Sequence, residues 1–193
     1  MRLLLSAFLP ELGPLAGEPP PGWEAATVGV GAVTAAMATT RLLLERRPDA
    51  ALFLGTCGSY DNRLPLFECL WAAEALATSV EEVRGGAYRP GLECVRWVST
   101  LPGPFPGHAI AVPPAITSTL EGGALLSALA PAEHLELTGV FAACHELGVP
   151  CGAALVVVNQ VGPEAQRQWQ ANHAEGSRRL VASLKASGYF DRA

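Results

Sequence analysis

The stretch from Ala26 to Tyr60, AATVGVGAVTAAMATTRLLLERRPDAALFLGTCGSY, admits few folds. A short apolar run, Ala26 to Val30, is bracketed at its end by Gly29 and Gly31, and a segment free of glycine and proline follows from Ala32 to Arg47. That order predicts strand, tight turn and helix. Pro48-Asp49 stops the helix. Ala50 to Leu54 is then a second continuous apolar run, read as a buried strand that ends in the loop Gly55-Thr56-Cys57-Gly58-Ser59. A right-handed crossover sets the two strands parallel in one sheet, so both glycine-rich ends reach the same edge, where open α/β sheets bind ligands. Glycine lets backbone N–H groups approach a ligand, and the helix N-terminus near Ala32 favours an anionic or hydroxyl-rich group. Ordinary turns use the same residues, and a lone GxG does not separate the two readings. Two paired ends weigh towards a pocket.

The rest of the chain continues the alternation. MRLLLSAFLPEL is read as a first strand rather than a secretory leader, because its apolar run is short and Pro10-Glu11 stands where a small-residue cleavage site belongs. Gly13 to Trp23, rich in proline and glycine, reads as a connector. Phe67 to Thr78 fits a strand or a short helix, its first half leaning to strand. Arg84 to Pro90 and Leu101 to Gly107 read as loops. Ala109 to Val112 is a strand that delivers Ile116-Thr117-Ser118-Thr119 to a helix from Leu120, where Ser118 or Thr119 either caps the helix or meets a ligand. His134 to Leu137 reads as a strand, Gly139 to Leu147 as a helix stopped by Gly148-Val149-Pro150, and Ala153 to Val158 as a buried strand ending at Asn159. Glu164 to Ala186 reads as a long terminal helix loosened near Gly176. The fold class that follows is α/β, a three-layer α/β/α sandwich with a mixed, mostly parallel central sheet.

A chain of 193 residues with 50% hydrophobic content buries a sizeable core as one domain, residues 1–193. Its net charge of −5 and scattered Lys and Arg argue against a nucleic-acid surface or an anionic membrane, and no apolar run reaches the roughly 20 residues that span a bilayer. The cysteines Cys57, Cys69, Cys94, Cys144 and Cys151 form no CxxC pair and no metal-ligand spacing with the four histidines. They read as reduced thiols of a cytoplasmic protein that needs neither metal nor other cofactor.

Four segments, taken in order, resemble the nucleoside phosphorylase and nucleosidase superfamily, which cleaves N-glycosidic bonds of nucleosides. Ser6-Ala7-Phe8-Leu9-Pro10-Glu11-Leu12 is similar to its first strand with a following acid. Gly29-Val30-Gly31 with Ala35-Ala36, then Pro48-Asp49 and Gly55-Thr56-Cys57-Gly58, is similar to its central glycine motifs. Leu135-Glu136-Leu137-Thr138-Gly139-Val140-Phe141 resembles its Glu-Met-Glu-Gly ribose segment. Val158-Asn159-Gln160-Val161-Gly162-Pro163, with Trp169 downstream, is most similar to the futalosine hydrolase branch.

The resemblance implies a nucleosidase acting on a purine nucleoside or a futalosine-like compound, with a phosphorylase or a catalytically impaired nucleoside-binding protein as alternatives. It gives Glu11 the task of binding and deprotonating water, a role a carboxylate suits because it also stabilises positive charge developing on the ribose. Read on its own, Glu11 fits a surface turn acid after Pro10 better, and the resemblance reverses that preference. Gly31, Gly58 and Ser59 would line the ribose and water pocket, and Glu136 or Leu137 would face the sugar. Asn159 would hydrogen-bond the base, although as an isolated residue it also suits a helix cap. Thr138 stands where the family carries a second, ribose-gripping glutamate. Loss of that charge-assisted bond is worth about 1.5–3 kcal/mol. Asn159 stands where many nucleosidases use an aspartate as proton donor, and an amide cannot fill that role. Trp169 and Phe141 read as base-stacking or as core. Phosphorolysis needs Arg or Lys donors, and Arg63 is the only one beside the second glycine loop. By resemblance the partners are a small-molecule nucleoside and further copies of the chain.

Overall fold

Leu3, Leu4 and Leu5 are all fully buried, which a half-exposed strand would not allow. The computed structural model, which describes residues 1–91 and 94–191, shows why. These leucines lie in β1 (Arg2–Ser6), an inner strand of an eight-stranded sheet covered on both faces. Leu3 and Leu5 join Phe53, Val140 and Phe141 under α1 (Ala32–Arg46) and α4 (Leu137–Glu146). Leu4 turns to the other face, with Leu52, Leu54, Val156 and Val158, against Leu180 and Leu184 of α5 (Ala165–Ala186). The alternation of β-strand side chains thus feeds two cores, and the α/β/α sandwich read from the sequence is the observed fold.

β2 (Trp23–Thr27) and β3 (Ala51–Ser59) flank β1 on either side, both parallel to it. Beyond β3 come β7 (Ala132–Glu133), β6 (Gly107–Val112), β4 (Cys69–Ala77) and β5 (Arg96–Val98). β8 (Cys151–Gln160) pairs with both β3 and β4, so β3, β7, β6, β4 and β8 close into a ring. Five pairings are parallel and three antiparallel, which makes the sheet mixed and mostly parallel. The short helices α2 (Val80–Arg84) and α3 (Leu120–Leu126) pack on each other outside the ring. No helix among the described residues is long and apolar enough to cross a membrane.

Several elements differ from the sequence reading. The Gly55–Ser59 segment is strand, not loop: β3 runs through it because β8 pairs with it throughout and β7 pairs with its end. The first glycine-ended strand lies earlier than Ala26–Val30, at Trp23–Thr27. The connector is partly ordered, since 3-10 turns span Leu9–Ala16, with Pro10 at their start and a kink at Gly13, whose φ is 52°. His134–Leu137 is not a strand; pairing stops at Glu133 and α4 begins at Leu137. α5 is continuous through Gly176, where a Cβ would come within 2.5 Å of Val158 Cγ1. That glycine is set by helix-on-sheet packing, which outweighs its weak helix propensity of about 1 kcal/mol.

Candidate active site

Glu11 follows Pro10 in the first turn of the 3-10 helix and is only 3% exposed. Two backbone donors and one hydroxyl hold its carboxylate. Oε1 accepts from the Thr56 amide at 3.0 Å and from the Thr56 hydroxyl at 2.9 Å, and Oε2 accepts from the Ala7 amide at 3.2 Å. Burial nevertheless dominates: it pushes the Glu11 pKa up to about 7, against the lowering effect of these donors and with a smaller push from the nearby Glu136 charge. A carboxyl group poised near neutrality inside a cavity is suited to taking up a proton.

That cavity has a volume of about 390 Å³, within the roughly 300–1,000 Å³ of small-molecule sites. Glu11, Glu133, Glu136 and Asn159 supply its hydrogen-bonding side chains together with Thr56, Gln166 and His134. Phe8, Val30, Ile116, Leu135 and Trp169 supply its apolar walls. No lysine or arginine is among its lining residues.

The strand order assembles these groups. Gly58 of β3 pairs with Glu133 of β7 on one side and Asn159 of β8 on the other. Between Cys57 and Gly58 the β3–β8 register shifts, leaving Val158 as an extra residue in β8. A bulge of this kind re-aims the side chain that follows it. Here it lays the Asn159 amide over Gly58, where a Cβ would stand 2.8 Å from Nδ2. Glu133 is clamped by the Tyr60 hydroxyl, which donates to Oε2 at 2.7 Å, and by the Thr117 amide, which donates to Oε1 at 3.2 Å. Burial raises its pKa while both donors oppose the rise.

Glu136 closes the opposite wall. The Gly31 amide donates to its Oε1 at 2.8 Å, joining the first glycine turn to the start of α4. Gly31 has a φ of 87°, which glycine adopts without strain, and in this conformation its amide meets Glu136. His134 lies beneath, its Nδ1 accepting from the Glu136 amide at 3.1 Å and standing 3.2 Å from Glu136 Oε2. Burial drives the His134 pKa down, with the Glu136 carboxylate opposing.

Of the residues singled out in the sequence, Glu11, Gly58, Glu136 and Asn159 meet in this cavity, with Gly31 tied to it through Glu136. Ser59, Leu137 and Thr138 lie outside its lining. Ser59 faces the protein interior, accepting from the Leu64 amide at 3.0 Å, because strand alternation turns it away from Gly58. Leu137 packs in the core with Val140, and Thr138 is buried in the first turn of α4. Thr119 caps α3 by accepting from the Gly122 amide, Phe141 is core, and the Arg63 guanidinium donates to the Ser127 carbonyl outside the cavity. Thr56, Glu133, His134 and the indole donor of Trp169 were not foreseen. Strand pairing and register place them, and no local pattern marks such contacts.

A sequence profile described as the phosphorylase superfamily matches residues 25–134. No curated protein sequence matches the chain. Among solved structures, a futalosine hydrolase mutant of Helicobacter pylori aligns over 96% of this chain and 97% of its own at 18% identity, with a TM-score of 0.82. The 5′-methylthioadenosine/S-adenosylhomocysteine nucleosidase of the same organism aligns over 96% of both chains at 17% identity and a TM-score of 0.82. That of Neisseria meningitidis, in complex with methylthio-immucillin-A, aligns over 96% of this chain and 98% of its own at 17% identity and a TM-score of 0.78.

Proposed function

Because the chain belongs to the phosphorylase superfamily, we propose that it is a nucleosidase that hydrolyses the N-glycosidic bond of a purine nucleoside or a futalosine-like compound. One observation carries this reading: a nearly buried Glu11 carboxyl, with a pKa near 7, stands in a nucleoside-sized cavity whose lining holds three carboxylates and no cation. Such a wall repels phosphate and leaves water as the nucleophile.

In the proposed reaction, water bound at Glu11 attacks the anomeric carbon as the bond to the base breaks. Glu11 takes the water proton, and its charge stabilises the cationic ribose in the transition state. Glu136 accepts from the sugar hydroxyls. The base leaves with the bonding electron pair and takes its proton from solvent, while Asn159 hydrogen-bonds it without donating a proton. The apolar walls lower the local dielectric and strengthen each of these interactions. A second copy of the chain belongs to the same proposal, covering the apolar surface at the cavity mouth.

The test is release of free base from a panel of purine nucleosides that includes futalosine and 5′-methylthioadenosine, with and without phosphate. Phosphate-independent release, abolished in Glu11→Gln, is the expected result. Thr138, buried away from the cavity where the superfamily resemblance calls for a glutamate, favours the second reading of a nucleoside-binding protein without turnover. Tight nucleoside binding with no base released by the wild-type protein would establish it.

A further inference from the structure

Glu11 Oε1 takes two bonds from Thr56, while Oε2 takes one from the Ala7 amide and keeps its remaining lone pair. The first oxygen is an anchor and the second is the one left to meet water. The anchor rests on a choice the Thr56 hydroxyl must make, because it has a single proton to give. The Trp169 indole biases that choice: its Nε1–H donates to Thr56 Oγ1 at 3.2 Å, taking one of the two acceptor positions of Oγ1, while the hydroxyl proton goes to Glu11 Oε1 at 2.9 Å. The indole is itself fixed. It stacks on His173 with ring centroids 4.4 Å apart and planes 11° apart, and it packs against Phe8 at 5.8 Å.

We propose that Trp169 is a positioning residue for the nucleosidase reaction, its indole N–H polarising the Thr56 hydroxyl towards Glu11 so that Oε2 is presented to water in the ionised state. This inference rests on the function proposed above. Sequence reading offered Trp169 only stacking or packing; the structure sets its ring in the cavity wall, stacked on His173, and ties its nitrogen to Thr56. Other titratable groups stand around the same carboxyl: Glu136, Glu133 and His134 in the cavity lining, the neighbouring Cys57 thiol and, behind the indole, His173. The Glu136 carboxylate opposes ionisation of Glu11. The Trp169–Thr56 chain is the arrangement that favours it from the side of α5.

The experiment compares wild type with Trp169→Phe, which keeps an aromatic ring without the donor, and with Thr56→Val, Thr56→Ser and the Trp169→Phe/Thr56→Val double variant. Two measurements are made on each. One is the pH profile of kcat/KM for base release. The other is the titration of the Glu11 carboxyl carbon by NMR in protein labelled at glutamate, assigned by its loss in Glu11→Gln, and it needs no turnover. Trp169→Phe and Thr56→Val are expected to move the Glu11 titration upward by about half a pH unit or more, lowering kcat/KM roughly threefold or more on the acid limb and less at high pH. The double variant should shift no further than Thr56→Val alone, and Thr56→Ser should titrate as wild type. A wild-type titration in Trp169→Phe, or shifts that add in the double variant, would overturn the proposal. Should Trp169→Phe not fold, Trp169→Leu removes the same donor and is read in the same way. If the NMR shifts appear but no variant or wild type releases base, the Trp169–Thr56 control of the Glu11 carboxyl stands and the nucleosidase reading falls.

Discussion

At the scale of single residues, Glu11 couples function to stability. Its carboxyl titrates at about 7 in the folded chain, above the ordinary value of 4.5. The folded state therefore binds the proton more tightly than the unfolded state, and stability falls as pH rises from about 4.5 to about 7. At about 1.4 kcal/mol per pH unit, the contribution of this one group is roughly 3 kcal/mol. Glu11→Gln should flatten that part of the stability profile and be more stable than wild type at pH 8, as measured by urea denaturation at pH 5 and pH 8, while abolishing base release. Equal denaturation profiles for the two proteins at both pH values would show that Glu11 is not held protonated in the folded state. The same carboxyl in wild type should give an acid limb near pH 7, with activity rising as the base ionises.

Glu133 presents a different case, because its clamp is replaceable on one side only. Tyr60→Phe removes a buried hydroxyl that donates to it at 2.7 Å, and leaves one carboxylate oxygen unsatisfied. The cost of such an orphaned group is about 1–3 kcal/mol, and its loss should also raise the Glu133 pKa further, since the Tyr60 bond is one of the interactions that lower it. Thermal unfolding at pH 8 and at pH 5 checks both: the loss of stability should be larger at pH 8. A variant with unchanged unfolding at pH 8 would mean that the hydroxyl contact contributes nothing.

At the scale of elements, much was legible because the hydrophobic period is a local signal. The span of α1, the strand character of β8 and the single long helix α5 all follow from runs whose ends carry glycine, proline or asparagine. What escaped were features decided between elements. Glycines in β3 and α5 look like breakers in sequence, yet they serve close packing, and ring closure through β7 and β8 leaves no local trace. The same division holds in the site. Glu11, Glu136 and Asn159 came from resemblance at strand ends, whereas Ser59 failed because a strand continued where a loop was expected, turning its side chain inward. Gly139 tests the point at the α1–α4 crossing, where a Cβ would stand 2.0 Å from the Ala32 carbonyl oxygen. Alanine gains about 1 kcal/mol in helix propensity over glycine, but a clash with backbone costs about 1–3 kcal/mol or more. Gly139→Ala should therefore lower the melting temperature, by roughly 2–4 °C for each kcal/mol by which the clash exceeds that gain. By spreading the helices it should also weaken the Gly31–Glu136 bond and raise KM.

For the whole molecule, α1 poses a question that one copy of the chain does not answer. Ala35, Leu42 and Leu43 are buried against the sheet and α4. On the opposite side, Val33, Met37 and Leu44 fall at helical spacing on one stripe and are 76%, 71% and 59% exposed. A helix apolar on both faces has a second surface to cover. The stripe leads to the cavity mouth, where Val30 and Ile116, both lining residues, are 61% and 53% exposed. A second copy seated there would shield the stripe and cap the cavity, shutting water away from the reacting centre except at Glu11. Sedimentation velocity on the wild-type protein at micromolar concentration should show a dimer or larger homo-oligomer, and Val33→Glu with Met37→Glu should shift it to monomer. Because the cap is lost with the contact, the monomer should retain the Glu11 titration but bind nucleoside more weakly. A wild-type protein that sediments as a monomer, with nucleoside affinity unchanged by the two glutamates, would remove the second copy from the proposal and leave the single-chain cavity as the complete site.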